Sequence, residues 1–380
     1  MKIITFYLPQ FHEIPENNKW WGKGFTEWVN VKKAKPLFNG HYQPRIPENK
    51  NYYNLLNKTT IEWQANIAKK YGIYGFCFYH YWFDGHMLLE KPMEIFLNDK
   101  NININFCISW ANEDWTNAWT DGDNKTLISQ TYGFKQDWIK HFNYFLKFFK
   151  DNRYIKINNK PLLIIYRPEL IGCLNEMLDT WNELAIKEGF DGIEFAYQHY
   201  NFSTIKNKDD SRFSYQIEYQ PQYCMKEIEN RKLIIVLKKL KNKADIFFQK
   251  IFHKKIEISS IFKGNLKKYD YDELWNNILK RNPENKKNVP GAFVGWDNTP
   301  RKGTRGSVVI NNTPDKFESY MIKQINNAKE KYKKDMIFMF AWNEWAEGGY
   351  LEPDEKYKFK YLQAIKNSLE KTNENPYLKG

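Results

Sequence analysis

The sequence predicts an α/β fold, a single (β/α)8 TIM barrel, on three observations. Eight short apolar runs recur along the 380 residues, most of them separated by stretches of helical periodicity, the alternation expected of a parallel sheet. At least seven of these runs end in Asp, Glu, His, Arg, Gln, Asn or Trp, and the C-terminal ends of barrel strands are where such folds build their sites. No internal repeat and no Gly/Ser linker divides the chain. Residues 1–380 are therefore expected to form one barrel domain with long βα loops and a basic helical insertion over residues 225–290.

Lys2 to Leu8 reads as the first strand, stopped by Pro9. An aromatic and Gly-rich connection from Asn17 to Pro47 has no regular period, yet carries too much apolar area to be left in water; it reads as a folded functional loop. Its Gly22-Lys23-Gly24 run lacks the spacing and trailing Lys-Ser/Thr of a nucleotide loop. Thr60 to Tyr71 has helical spacing and ends at Gly72. Ile73 to Tyr79 is the second strand and Ile102 to Trp110 the third, with a helix near Leu89 to Asn98 between them. An amphipathic helix over Asp137 to Lys150 leads to strand four, Pro161 to Tyr166. A helix over Leu174 to Glu188 precedes strand five, which begins over Gly192 to Ala196.

Strand six is assigned to Phe213 to Tyr219, where alternation is weak. The Lys- and Asn-rich region that follows has helical stretches near Arg231 to Phe252 and Tyr271 to Lys280 and is too long for a simple crossover. Gly291 to Trp296 is strand seven. Thr313 and Pro314 read as N-cap and first residue of a helix through Lys331. Strand eight runs from Met336 to Trp342, and a closing helix reaches Leu369.

The net charge of +13 and a pI near 9.2 favour anionic partners. Much of the Lys excess lies over Arg231 to Lys287, away from the strand ends, which points to peripheral contact with an anionic membrane surface or to an ordinary solvated face. Basic residues are not interleaved with aromatics in a recognised module, so no nucleic-acid partner is expected. Cys77, Cys107, Cys173 and Cys224 are widely spaced without a CxxC pair, which argues against a disulfide framework or zinc knuckle. His12 and His41 have no third ligand at suitable spacing; neither a metal nor a cofactor is expected. The opening MKIITFYLPQFH lacks the pattern of a secretory leader and no run approaches a membrane span. The expected location is the cytoplasm, or the inner face of its membrane.

The chemistry concentrates in Lys334 to Glu352, where an aromatic run breaks into Asn343, Glu344, Glu347 and two glycines. A helical turn after Trp342 would place Glu344 and Glu347 on one face. Like charges so close push their pKa values apart, leaving one an acid and the other a base. Carboxyl pairs beside aromatic rings suit a sugar, whose acetal is broken by such a pair. The plain alternative is a capped turn with surface acids. Candidate substrate-binding residues are Tyr7, Trp21, Glu27, Trp28, His41, Tyr42 and Arg45 near the N-terminus; His80, Trp82, Trp110, Asn112, Glu113, Arg167, His199 and Asp297 at later strand exits; and Trp342, Asn343, Trp345 and Tyr350 around the pair. Glu113 reads as a sugar-hydroxyl contact more than a catalytic group. Arg45, Arg167 and Arg301 fit either an acidic sugar or phosphate, or the orientation of carboxylates.

Four motifs carry a resemblance: YLPQFH at Tyr7 to His12, with WWGKGFTEW, GHYQPR and WNEWAEG beginning at Trp20, Gly40 and Trp342. Together, in this order, they resemble the WbsX family over about residues 1 to 370. Members of that family are found with genes for lipopolysaccharide and capsule assembly and are often labelled glycosyltransferases. That family is in turn similar to glycoside hydrolase family 99, the endo-α-mannosidases and endo-α-mannanases. The resemblance implies a retaining reaction in which Glu344 is the base that activates the sugar's own 2-hydroxyl and Glu347 the general acid, through a 1,2-anhydro intermediate. The chain departs from those hydrolases in having Trp345 and Ala346 between its glutamates, which leaves mannose specificity open. The implied substrate is a bacterial surface polysaccharide or its precursor, anionic or lipid-linked forms included. Glycosyl transfer in O-antigen or capsule synthesis and a non-catalytic polysaccharide-binding or assembly role are the competing readings.

Overall fold

The computed structural model describes residues 1–117, 125–200, 209–231 and 266–378. The barrel staves are β1 (Lys2–Tyr7), β2 (Gly75–Phe83), β3 (Asn105–Trp110), β4 (Lys160–Ile165), β5 (Glu194–His199) and β6 (Phe213–Glu218). They are followed by β7, which is split by Pro290 into Asn288–Val289 and Gly291–Phe293, and by β8 (Met336–Phe340). All pair in parallel. The first half of β7 lies beside β6, with Gln216 opposite Asn288, and its second half beside β8, with Gly291 opposite Phe338. β1 pairs with both β8 and β2, with Lys2 opposite Met336 and Ile4 opposite Gly75, and this closes the ring.

The split has a local cause. Pro290 has no N–H to give a ladder, while its carbonyl accepts from Phe338 N at 3.3 Å. At Gly291 a Cβ would lie 1.8 Å from the backbone oxygen of Glu218, so only glycine lets β6 and β7 approach at this joint.

The crossover helices are α1 (Lys58–Lys70), α2 (Lys91–Asn98), α3 (Lys135–Phe149), α4 (Leu174–Lys187), α5 (Tyr271–Lys280), α6 (Pro314–Glu330) and α7 (Lys360–Lys371). Thr313 caps α6 through its hydroxyl, which accepts from Lys316 N at 3.3 Å, with Pro314 at the first helical position as expected. The second strand differs from expectation. It runs on through His80, Tyr81, Trp82 and Phe83 and folds back on His86–Leu88, because every residue from Gly75 to Phe83 is buried and the run has no polar stop. Of the expected helix from Arg231 to Phe252, all but Arg231 lies outside the described residues, as does half of the expected insertion. No helix among the described residues is long and apolar enough to cross a membrane.

Two aromatic layers flank the staves. Inside, Phe6 meets Tyr79 and Tyr219, and Phe340 meets Tyr219 and Trp296. Outside, Trp110 packs on His141 and Trp181 beneath α3 and α4.

Candidate active site

After β8 the chain makes a tight excursion. Asn343–Glu344 pairs antiparallel with Gly349–Tyr350, and the turn between them is a single 3-10 turn, Trp345–Glu347. Glu344, which precedes the turn, and Glu347, its last residue, both reach one recess. Gly348 then takes φ +63°, where a Cβ would press on Asp297 at 2.8 Å.

One arginine organises the pair. Arg301, from the short helix Thr299–Lys302 after β7, donates from Nε to Glu27 at 3.0 Å and from Nη1 to Glu347 at 2.6 Å. Its Nη2 lies 3.7 Å from Glu344 Oε2, an oxygen with no hydrogen-bond partner. The Arg301 and Glu27 side chains are each 2% exposed, Glu344 7% and Glu347 18%, so Glu347 is the carboxyl open to the cavity. Three loops distant in sequence thus converge on one guanidinium. Burial pushes Glu344 well above the ordinary carboxylate range; the charge of Glu347 adds to this, and Arg301 opposes it. Burial also raises Glu347, again against Arg301.

Glu347 forms part of one wall of a cavity of about 600 Å³. Facing it are Glu113 and Arg167, at the exits of β3 and β4 and paired with each other at 3.2 Å, together with Asp114, Tyr132 and Tyr166. Arg167 also binds Glu169. A smaller recess of about 80 Å³ shares Glu113, Tyr166 and Glu347 and runs down to Glu344 between Tyr79, Tyr81, Trp115 and Tyr219. The Tyr79 and Tyr219 hydroxyls lie 2.8 Å apart, and those of Tyr200 and Tyr166 2.5 Å apart. Burial raises all these phenols, which leaves them neutral donors and acceptors aimed at a polar guest.

Other residues picked out in the sequence hold the walls from behind. Asp297 is fully buried and accepts from Gln43 at 2.7 Å and Thr299 Oγ1 at 2.6 Å; it also contacts His41 at 2.8 Å and Arg45 at 3.6 Å. The Asp297 backbone N–H donates to the Glu347 carbonyl at 2.6 Å, so this knot fixes the turn that carries Glu347. Arg45 also lies over the rings of Tyr42 and Tyr350. Asn112 clips both backbone groups of Arg167, and Asn343 those of Leu8.

The rings beside the glutamates in sequence point elsewhere. Trp345 stacks on Tyr350 at 3.8 Å and donates to the buried Glu352, while Trp342 packs on Phe76. Trp28 sits against Phe11 and Trp345, Trp21 on Phe25, and the Tyr7 hydroxyl binds Gln64. His80 and Trp82 pack against His141 under α3, beside Trp110, and His199 lies on Tyr223. The cavity's own rings, Tyr79, Tyr81, Tyr166, Tyr219 and Trp115, were not singled out from the sequence. Alternation along β2 is the signal that separates inward Tyr79 and Tyr81 from outward His80 and Trp82. Among the described residues no group of three or more His, Cys, Asp or Glu side chains could hold a metal ion.

A family model described as "Glycosyltransferase WbsX" matches residues 3–365. Two relatives, each called "Uncharacterized protein WxcX", from Xanthomonas campestris pv. campestris strains B100 and ATCC 33913, are 32% identical over 371 residues, covering 97% of this chain and 49% of theirs. The chain therefore spans about half the length of the curated relatives it matches. Among solved structures, the endo-alpha-mannosidase of glycoside hydrolase family 99 from Bacteroides thetaiotaomicron superposes with a TM-score of 0.55 at 12% identity, covering 99% of this chain and 98% of that one. A glycoside hydrolase-like protein does so with a TM-score of 0.53 at 12% identity, over 97% and 93%. At such identities the likeness is one of fold.

Proposed function

We propose, for a chain that belongs to the glycosyltransferase WbsX family, a retaining endo-glycosidase-like chemistry on a bacterial surface polysaccharide, with Glu344 and Glu347 as the reacting pair. The observation that carries this reading is the placement of Glu347 at the wall of a polar cavity at the C-terminal face of the barrel, with Glu344, three residues before it, at the phenol-lined recess that opens from the same cavity. In the first step Glu344, as carboxylate, takes the proton of the sugar's 2-hydroxyl. That oxygen closes on C1 as the glycosidic C–O bond breaks, and Glu347 gives its proton to the departing oxygen. In the second step water opens the 1,2-anhydro sugar at C1, Glu347 accepts the water's proton and Glu344 returns the first proton to O2.

The fold shared with an endo-alpha-mannosidase supports an α-mannoside as the first sugar to try. Glu113, Arg167 and Lys302 on the cavity wall suit sugar hydroxyls and offer cations for an anionic substituent. The same intermediate opened by a sugar hydroxyl instead of water is glycosyl transfer, a reading favoured by the description of the family itself. Incubation with the host's surface polysaccharide and with its lipid-linked precursor should release or extend oligosaccharides with retained anomeric configuration. Glu347→Gln should lower the rate by about 10²–10⁴-fold. Products from the wild type that persist undiminished in Glu347→Gln would refute the assignment of the acid.

A further inference from the structure

We propose that in the free protein Arg301 is a positioning residue that holds the negative charge of the glutamate pair on Glu347 and its proton on Glu344. The inference rests on the proposed function only for what the pair is for; its physical basis is separate.

The contacts are unequal. Nη1 of Arg301 gives Glu347 a charge-assisted bond of 2.6 Å, whereas Nη2 stands 3.7 Å from Glu344, whose Oε2 has no hydrogen-bond partner. Glu27 already takes the third edge of the guanidinium through Nε. Three carboxylates, two of them buried, share one guanidinium, and the surplus negative charge is costly where burial excludes water, so one proton is retained. The groups facing Glu344 are Glu347, Glu27 and Arg301, with the neutral phenols of Tyr79, Tyr81 and Tyr219; those facing Glu347 are Glu344, Arg301, Glu27, Lys302 and Tyr166, and Glu113 and Asp114 line the same recess. The cations thus stand on the side of Glu347, and the phenols surround Glu344. Burial raises both carboxyls, and Arg301 opposes the rise at each.

The resting arrangement is therefore the reverse of the working one, in which Glu344 accepts and Glu347 donates. The two differ by the position of a single proton, and a bound sugar must bring about that change.

Infrared difference spectroscopy of the substrate-free protein at neutral pH tests this without turnover. Glu344→Gln should remove the carbonyl band of a buried protonated carboxyl, and Glu347→Gln should remove a carboxylate band instead. Arg301→Lys, which keeps the charge but loses the fork, should move the titration midpoint of the protonated band upward. A protonated carbonyl band equally strong in the wild type and in Glu344→Gln would overturn the proposal. Should Glu344→Gln fail to fold, Glu344→Asp takes its place: it should shift the protonated band, and an unshifted band would overturn the proposal. A failure to find any glycan substrate leaves these spectra unchanged, so the two readings fail separately.

Discussion

Asn343 closes on both backbone groups of Leu8, accepting its N–H at 2.7 Å and donating to its carbonyl at 3.0 Å, entirely out of solvent. This bridge ties the exit of β8 to the exit of β1 one residue before Glu344. Asn343→Ala leaves two buried backbone groups without that partner and is expected to cost about 2–5 kcal/mol of stability, read by urea unfolding. Asn343→Asp keeps the acceptor but can donate to the Leu8 carbonyl only when protonated, so its cost should be smaller at low pH than at neutral pH.

Glu27 lies at 1% exposure and is held by Arg301 at 3.0 Å and by Asn30 at 3.0 Å. Its removal takes a carboxylate away from a buried guanidinium. Glu27→Ala should destabilise by about 3–5 kcal/mol, and Glu27→Gln by clearly less, because the amide oxygen still accepts from Nε. Equal unfolding midpoints for the two variants would show that the charge, not the hydrogen bond, is what matters.

Eight buried strands separated by helices were legible because apolar runs and caps are local signals: Thr313-Pro314 opens α6 as the pattern requires. The convergence of Glu27, Arg301, Glu344 and Glu347 was only half legible. Each follows a strand or sits in a motif, but no local pattern states that residues hundreds of positions apart share one guanidinium. Alternation divides the aromatics of β2 into two sets, but which set faces the cavity was not legible. In a stave buried on both faces every residue is apolar or aromatic, so His80 and Trp82 look no different from Tyr79 and Tyr81 until helix α3 covers one face and the cavity opens on the other. Trp342 and Trp345, next to the glutamates in sequence, turn into the packing for the same reason.

Asp297 carries a pH signature. Burial would raise its carboxyl, but His41, Arg45, Thr299 and Gln43 outweigh it and hold the group below its ordinary 3.8. A depressed folded value means that the stabilisation is present above the unfolded pKa and is lost as pH falls through the folded one. Asp297→Asn should therefore be markedly less stable than the wild type at pH 7, and the gap should close below about pH 4. Thermal unfolding of both proteins across that window checks it, and a gap that stays constant would remove Asp297's charge from the account.

Glu352 gives the opposite slope. It lies beneath the turn that carries Glu347, accepting from Trp345 Nε1 at 2.6 Å, Gln64 Nε2 at 2.6 Å and the Tyr53 hydroxyl at 2.8 Å. Burial dominates these hydrogen bonds and lifts its carboxyl from 4.5 to about 7. For a raised acid the contribution to stability is full below the unfolded pKa and is lost as pH rises through the folded one. Between pH 4.5 and 8 the unfolding free energy of the wild type should thus fall relative to that of Glu352→Gln by on the order of 3 kcal/mol. The amide does not titrate, so the comparison cancels what every other group contributes. Parallel curves for the two proteins would mean that the three donors, and not burial, set the charge of Glu352, and that it is a carboxylate throughout.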